Sequence, residues 1–319
     1  MVWRGETKAS QTRPVAPRRW LRGATPADRE LRAAQAATPG TWGLAMTMNE
    51  TRGPRPPAIE NAVSAVSDSA SSGFIDAFSD TARWYASARP TYPGALFQFL
   101  ADGAPATRCA WDCGTGNGQA AVGLAELFDS VEASDASAEQ IDHALPHPRV
   151  RYRVAPAQAS GLPDRSVDLI SVAQALHWFD LEKFYAEVRR VARPGALLAV
   201  YGYNWFYLST QLDPLVDRWL LRPIEPYWLS NLGLLWHGYR TIDFPFEEVT
   251  EPRLAMYLSW NLDQLLSYYR TWSATRRKIA AEGEQFLADA HDALAAAWDD
   301  PEQRRTVVMP ITARLGKLP

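Results

Sequence analysis

Cys109-Ala110-Trp111-Asp112-Cys113-Gly114-Thr115-Gly116-Asn117-Gly118-Gln119-Ala120 decides how the rest of the chain is read. An apolar run ends in an acid, glycine then recurs at every second position, and a helix-like pattern continues from Ala120 to Phe128. That order describes a strand, a tight turn and a helix N-terminus. Glycine at 114, 116 and 118 permits positive φ and lets the backbone approach a ligand closely. N–H groups at the start of the helix lack intrahelical partners and attract acceptor or anionic groups. A nucleotide-like cofactor suits this geometry.

Two frames fit the turn. Gly116, Gly118 and Ala121 loosely satisfy Gly-x-Gly-x-x-Gly/Ala, the dinucleotide fingerprint. Asp112, Gly114, Gly116 and Gly118 fill every place of acid-x-Gly-x-Gly-x-Gly. The residues downstream bear on both. Ser130 to Ser134 reads as a short strand ended by Asp135, about 20 residues past the glycines, where an acid accepts from ribose hydroxyls. Asp135 could instead cap the helix that starts at Ala138.

Val150 to Val154 reads as a third strand, followed by the loop Ala155-Pro156-Ala157-Gln158. Val167 to Val172 is an apolar strand bounded by turn residues, the pattern of a strand buried on both faces. Gln174-Ala175-Leu176-His177-Trp178-Phe179-Asp180 follows it. Ligands of open α/β sheets sit beyond the carboxyl ends of strands, so these side chains should face the guest. Asp180 suits the N-cap of a helix over Leu181 to Val191, Arg193-Pro194-Gly195 closes it, and Ala196 to Tyr201 makes strand five. A repeated β-α-β order implies a parallel sheet with helices on both faces.

Upstream, Phe74, Phe78, Trp84 and Tyr85 supply the apolar side of a helix. Pro90 and Pro93 break it, and Pro93 suits the first turn of a new helix through Leu100. Downstream, residues 201–272 hold 17 of the chain's 36 aromatics, among them Trp205, Trp219, Tyr227, Trp228, Trp236, Tyr239, Trp260 and Trp272. Such density walls an apolar cavity or forms a packed helical cap. Tyr227 to Phe246 reads as an insertion before a strand at Leu254 to Leu258. Helices are expected over Leu262 to Trp272 and Glu282 to Trp298, and a final antiparallel strand over Thr306 to Thr312.

Asp112-x-Gly-x-Gly-x-Gly, Asp135, the run Leu162-Pro163 to Val167-Asp168, Gln174-Ala175-Leu176-His177-Trp178-Phe179 and Arg193-Pro194-Gly195 fall in order and at suitable spacing. Together they resemble the class I, type-11-like S-adenosylmethionine (SAM)-dependent methyltransferases. Arg89-Pro90-x-Tyr92-Pro93 and Thr271-Trp272-Ser273 are similar to the subgroup that contains trans-aconitate methyltransferase of fungi. The resemblance implies an α/β, Rossmann-like methyltransferase fold. Its sheet is mostly parallel and seven-stranded with one antiparallel strand, and a helical, aromatic-rich cap is added. It implies SAM as cofactor, with Asp112 by the ammonium of the methionine part and Gly114, Thr115, Gly116, Gly118 and Gln119 around it. Asp135 and Ala136 would lie at the ribose, and Ala157 and Gln158 near the adenine. Gln158 stands where the family carries an acid. Gln174, Ala175 and Trp178 would face the cofactor, and Tyr85 would close on it from a lid that precedes the first strand.

Composition bounds the remaining choices. The chain has 319 residues, with 47% hydrophobic and 22% charged, as in ordinary globular proteins. No apolar run approaches the roughly 20 residues of a membrane span. Cys109, Cys113 and five scattered histidines give no metal framework, and a reducing cytoplasm fits. Residues 1–45 carry net +5, whereas the whole chain is −3, so the remainder is acidic and ill suited to a nucleic-acid backbone. Three parts are expected: an extension of disordered composition over 1–72, a SAM-binding core with its lid over 73–203, and a substrate cap with the final strands over 204–319. The extension is compatible with a transit peptide, with a start at Met46 or Met48, or with a dispensable tail.

Methyl transfer from a sulfonium is an in-line displacement that needs alignment and desolvation. A carboxylate acceptor needs no base but needs a cation to orient it, for which Arg89, Arg270 and Arg276 are candidates, Arg89 first. A hydroxyl or amine acceptor would need a base, and His177 is best placed for that, or it only packs near the cofactor. The expected activity is methylation of a small molecule, at oxygen and in particular at a carboxylate, by a monomer or homodimer. An NAD(P)-dependent oxidoreductase and an inactive SAM-binding partner, hinted at by Gln158, are the other readings.

Overall fold

Adjacent residues on the central strands belong to opposite cores. Ala110, Leu169 and Leu197 pack into one, and Trp111, Ile170 and Leu198 into the other. The two-residue period of a strand requires this, and it explains why these strands read as continuous apolar runs. The structure, a computed structural model, describes residues 90–319. The expectations for 1–72, for the helix around Phe74 to Tyr85, and for Tyr85 and Arg89 themselves lie outside the described residues.

Strands β1 (Cys109–Cys113), β2 (Ser130–Asp135), β3 (Val150–Val154), β4 (Val167–Ala173) and β5 (Ala192–Tyr203) pair in parallel in the order β3-β2-β1-β4-β5. Helix α1 (Gly94–Gly103) and helix α2 (Gln119–Ala125) cover one face through Leu96, Phe97, Leu100, Ala121 and Leu124. Helix α3 (Ala138–Asp142) follows β2. Helix α4 (Leu181–Val191) covers the other face through Phe184 and Val188, and its N-cap Asp180 accepts from the Lys183 N–H as expected. No helix separates β3 from β4, so the β-α-β order lapses there. After β3 the chain crosses to the far side of β1, and this reversal between β1 and β4 is where open sheets take ligands.

The remaining strands complete the sheet around one long antiparallel strand, β8 (Arg305–Lys317), which pairs with β5. Strand β6 (Glu247–Val249) and strand β7 (Leu254–Trp260) both pair with β8. From Val249 to Leu254 the chain advances five residues while the partner moves four, from Leu315 to Ile311. One extra residue is thus bulged out, and β6 and β7 act as a single interrupted strand. The sheet therefore has the seven positions expected, and β8 is the antiparallel one. It outruns the expected Thr306 to Thr312 because Arg314, polar in sequence, is held beneath the segment before β6, over the Phe244 ring. Its guanidinium bonds Glu248 and the carbonyls of Tyr239 and Ile242.

A broken helical stretch over Asp213–Val216, Asp217–Leu221 and Arg222–Ile224, then helix α5 (Leu232–Trp236), lies between β5 and β6. Helices α6 (Leu262–Arg270), α7 (Ser273–Glu282) and α8 (Gln285–Trp298) lie between β7 and β8. A capping box between Asn261 and Gln264 starts α6. The separate helix α7 was not expected. It buries only Ala274, Thr275 and Lys278, so it carries almost no apolar period.

At the amino end of the sheet the fully buried Asp168 accepts from the Arg108 and Cys109 N–H groups and from the Arg108 and Arg193 guanidiniums, the last at 2.7 Å. Asp168→Ala leaves two backbone donors and two arginines without their acceptor. We expect it to lower stability by about 3 kcal/mol in urea denaturation, with ligand binding at the opposite end of the strands unchanged.

Candidate active site

Asp112, next to last on β1, is fully buried. One carboxylate oxygen accepts the Thr115 hydroxyl at 2.6 Å and the other accepts the Ser171 hydroxyl at 2.9 Å. The Ser171 oxygen also meets the Tyr201 hydroxyl at 2.9 Å. Burial lifts the Asp112 carboxyl to about 6, against the lowering effect of the two hydroxyls.

The glycine turn folds tightly under its own hydrogen bonds. The Gly114 and Thr115 N–H groups donate to the Ser134 carbonyl at 2.8 and 3.0 Å, and the Gly118 N–H donates to the Thr115 carbonyl at 3.0 Å. Two of the glycines are required by protein contacts. A Cβ at Gly114 would lie 2.5 Å from Ala175 Cβ, and one at Gly118 would lie 2.2 Å from the Tyr152 hydroxyl, with φ at +72° and +87°. At Gly116 the nearest atom would be Gln140 Oε1 at 3.6 Å, an ordinary contact, so this is the least crowded of the three glycines.

Asp135 stands beside Gly116. Its Oδ2 accepts the Gly116 N–H and its Oδ1 accepts the Ser137 N–H, both at 2.9 Å. A carboxylate has about four acceptor positions, so two stay free on a half-exposed group held rigidly in place. The cap of α3 is Ser137, which accepts from the Gln140 N–H, and not Asp135.

The other predicted residues gather along the same carboxyl edge of the sheet. Ala136, Gln158 and Trp178 are exposed, Trp178 to 61%, an unusual degree for a tryptophan. Ala157, Ala175 and Thr115 are buried, and Gln119 and Gln174 are half-buried. Gln174 has φ +55°, a strained value for a residue with a side chain, while its N–H donates to the Tyr201 carbonyl at 2.8 Å. Such strain clusters at ligand sites.

His177 is buried against the cap. Its Nδ1 lies 3.1 Å from the Tyr239 hydroxyl, the two rings stack at 6.3 Å, and its carbonyl accepts from Asn231 Nδ2 at 3.1 Å. Burial lowers its pKa to about 4, so the ring is neutral at physiological pH and a weak proton acceptor. Arg270 pairs with Glu284 at 2.8 Å on the outer side of α6, and Arg276 is exposed on α7. The tryptophans of the last third pack on one another. Trp205, Trp228, Trp236 and Trp272 have centroids 5.5 to 6.3 Å apart, and each is only half-buried. They form a contiguous aromatic body beyond the end of β5.

Sequence reading missed Ser171, Tyr201 and Tyr239. Ser171 had a signal, a hydroxyl inside an otherwise apolar strand. Tyr201 and Tyr239 were lost among many aromatics. Among the described residues no group of three His, Cys, Asp or Glu side chains could hold a metal, and no helix is long and apolar enough to cross a membrane. Cys109 and Cys113 are both free.

A sheet with a switch point between β1 and β4, and a glycine turn hydrogen-bonded to the acid that ends β2, define a Rossmann-like fold. Comparison narrows the class. The family model described as "Methyltransferase domain" matches residues 111–200. A Dictyostelium discoideum protein assigned as a methyltransferase is 31% identical over 229 residues, which cover 70% of this chain and 87% of that one. An uncharacterised methyltransferase of Schizosaccharomyces pombe is 33% identical over 64% of this chain and 82% of its own. A solved structure described as a type II methyltransferase from Anaeromyxobacter dehalogenans superposes with a TM-score of 0.69. It shares 46% identity over 72% of this chain and 97% of its own. The chain belongs to the class I SAM-dependent methyltransferases.

The His177 environment has a measurable pH signature. In the unfolded chain the ring takes up its proton near 6.5, but in the folded chain only near 4. Unfolding therefore takes up a proton between these values, and the stability owed to neutral His177 is lost as the pH falls from 6.5 to 4, by at most about 3 kcal/mol. Asp112 works in the opposite sense, because its raised carboxyl favours the folded state as the pH falls through about 6. In paired urea titrations the stability of the parent relative to His177→Gln should shrink across this window. A constant difference from pH 7 to 4 would mean that the ring charges freely in the folded protein.

Proposed function

We propose that this chain binds SAM at the carboxyl edge of β1, β2 and β4 and transfers its methyl group to an oxygen of a small-molecule acceptor, with carboxylic acids the favoured class. The observation that carries the cofactor site is the uncrowded Gly116 backbone beside an Asp135 carboxylate aligned by two N–H groups, with acceptor positions left for ribose hydroxyls. A yeast relative described as an S-adenosylmethionine-dependent methyltransferase, 27% identical over 45% of its length, supports the same cofactor. When bound, SAM supplies a methyl group on a positive sulfur. The chain's task is to align the acceptor and exclude water. Asp112, buried under the turn, acts on the cofactor's positive charges through its field, since both its oxygens are engaged by hydroxyls.

The surroundings of His177 support this acceptor class. An alcohol or amine needs a base whose pKa lies near the working pH, and a ring at about 4 is poorly matched to that work. A carboxylate is already a nucleophile and makes no such demand. The acidic body of the chain also favours a small acceptor over a nucleic acid.

Calorimetric titration with S-adenosylhomocysteine, with NADH in parallel, tests the cofactor. We expect binding of the former alone, lost in Asp135→Ala. Because a cation beside Asp112 favours its ionised form, affinity should rise about tenfold as the pH is raised through 6, the equivalent of a one-unit shift. Binding of NADH alone would reject the assignment. An acceptor screen should begin with small carboxylic acids. With the acceptor in hand, His177→Gln should reduce kcat less than about tenfold, whereas a general base would cost 10²-fold or more.

A further inference from the structure

Tyr92 lies in the short segment between Pro90 and α1, and its hydroxyl is buried without a hydrogen-bond partner. The ring is firmly held. It packs edge-on against Tyr201 at 5.0 Å and Tyr203 at 5.7 Å, and against Phe97 at 6.4 Å. Burial raises its pKa well above the usual phenol value, and the nearby oxygens of Tyr203, Tyr201, Tyr239 and Asp112 add to this. The hydroxyl therefore keeps its proton, and it lies near the carboxyl ends of β1 and β5. Tyrosine hydroxyls that are buried normally find a partner, so one left without a partner near the Asp112 carboxyl is a donor in waiting.

Several neighbouring donors among the described residues are already engaged. The N–H groups of Gly114, Thr115, Gly116 and Gly118 go to Ser134, Asp135 and Thr115. The hydroxyls of Thr115 and Ser171 bond Asp112, and that of Tyr239 meets His177. A cofactor whose ammonium lies in the field of Asp112 carries a carboxylate on the same carbon, and that anion needs a donor which neither Asp112 nor the turn's own hydrogen bonds provide. On the SAM-binding reading above, we propose that Tyr92 is a positioning residue whose hydroxyl donates to the carboxylate of the cofactor's amino-acid part.

Calorimetry on the full chain with two nucleosides tests this. S-adenosylhomocysteine carries the amino-acid part, and 5′-methylthioadenosine lacks it. Tyr92→Phe should bind S-adenosylhomocysteine at least tenfold more weakly, as loss of a hydrogen bond to a charged group implies, and should bind 5′-methylthioadenosine as the parent does. Its melting temperature should equal or exceed that of the parent, because the lost hydroxyl had no partner in the protein. Equal weakening for both nucleosides would show that the ring only shapes the site and would overturn the proposal. Unchanged binding of both, or a lower melting temperature, would overturn it as well. Failure of the parent to bind either nucleoside would overturn the SAM reading and this proposal with it. Binding by the parent matched by the variant would overturn the role of Tyr92 alone.

Discussion

The site depends on a carboxylate held inside an apolar sheet. An ionised group there is costly unless hydrogen bonds replace its water, and Asp112 has the hydroxyls of Thr115 and Ser171 in that role. Thr115 belongs to the glycine turn and Ser171 to β4, so the same charge ties the turn to the strand across the switch point. Tyr201, bonded to Ser171, extends the ladder to β5. A residue of similar size and no charge would fill this place at less electrostatic cost. On the proposed reading the negative field of Asp112 suits a positively charged guest at the turn.

What the amino-acid order revealed follows from the range of the forces involved. β1, β4 and β5 were legible because each holds an apolar run limited by turn residues, and two-sided burial leaves that mark locally, while β2 and β3 were legible as short segments bounded by turn residues. The end of β8 was not, since Arg314 interrupts the run and only its partners Glu248, Tyr239 and Ile242 explain it. α7 was missed because its burial against other cap segments leaves little period. In the site, residues of the glycine turn and Asp135 were legible because backbone geometry fixes them within a short stretch. Ser171, Tyr201 and Tyr239 enter through contacts 59, 30 and 62 residues apart, which depend on strand order and cap docking.

His177 shows how the cofactor edge and the cap are joined. Its ring meets Tyr239 and its carbonyl accepts from Asn231, both in the segment before β6. Tyr239 in turn offers its carbonyl to Arg314 on β8. The loop after β4, which faces the cofactor edge, is therefore fastened to the insertion and to the antiparallel strand. The arrangement explains the depressed pKa, because a charged imidazole would have to lose its water among aromatic rings. It also makes His177 a structural coupler more than a proton acceptor.

The same dryness bears on what the enzyme can do. Around the carboxyl ends of β1, β4 and β5 burial raises Asp112 and the phenols of Tyr92, Tyr201 and Tyr239, and lowers His177. Each shift disfavours a charged form, the mark of a water-poor crevice. Removing water from an anionic nucleophile and replacing it with fixed dipoles favours displacement at a sulfonium, where opposite charges meet and vanish. On the proposed reading an acceptor that brings its own negative charge gains most from such a place, whereas His177, with its lowered pKa, is poorly matched to one that must first lose a proton.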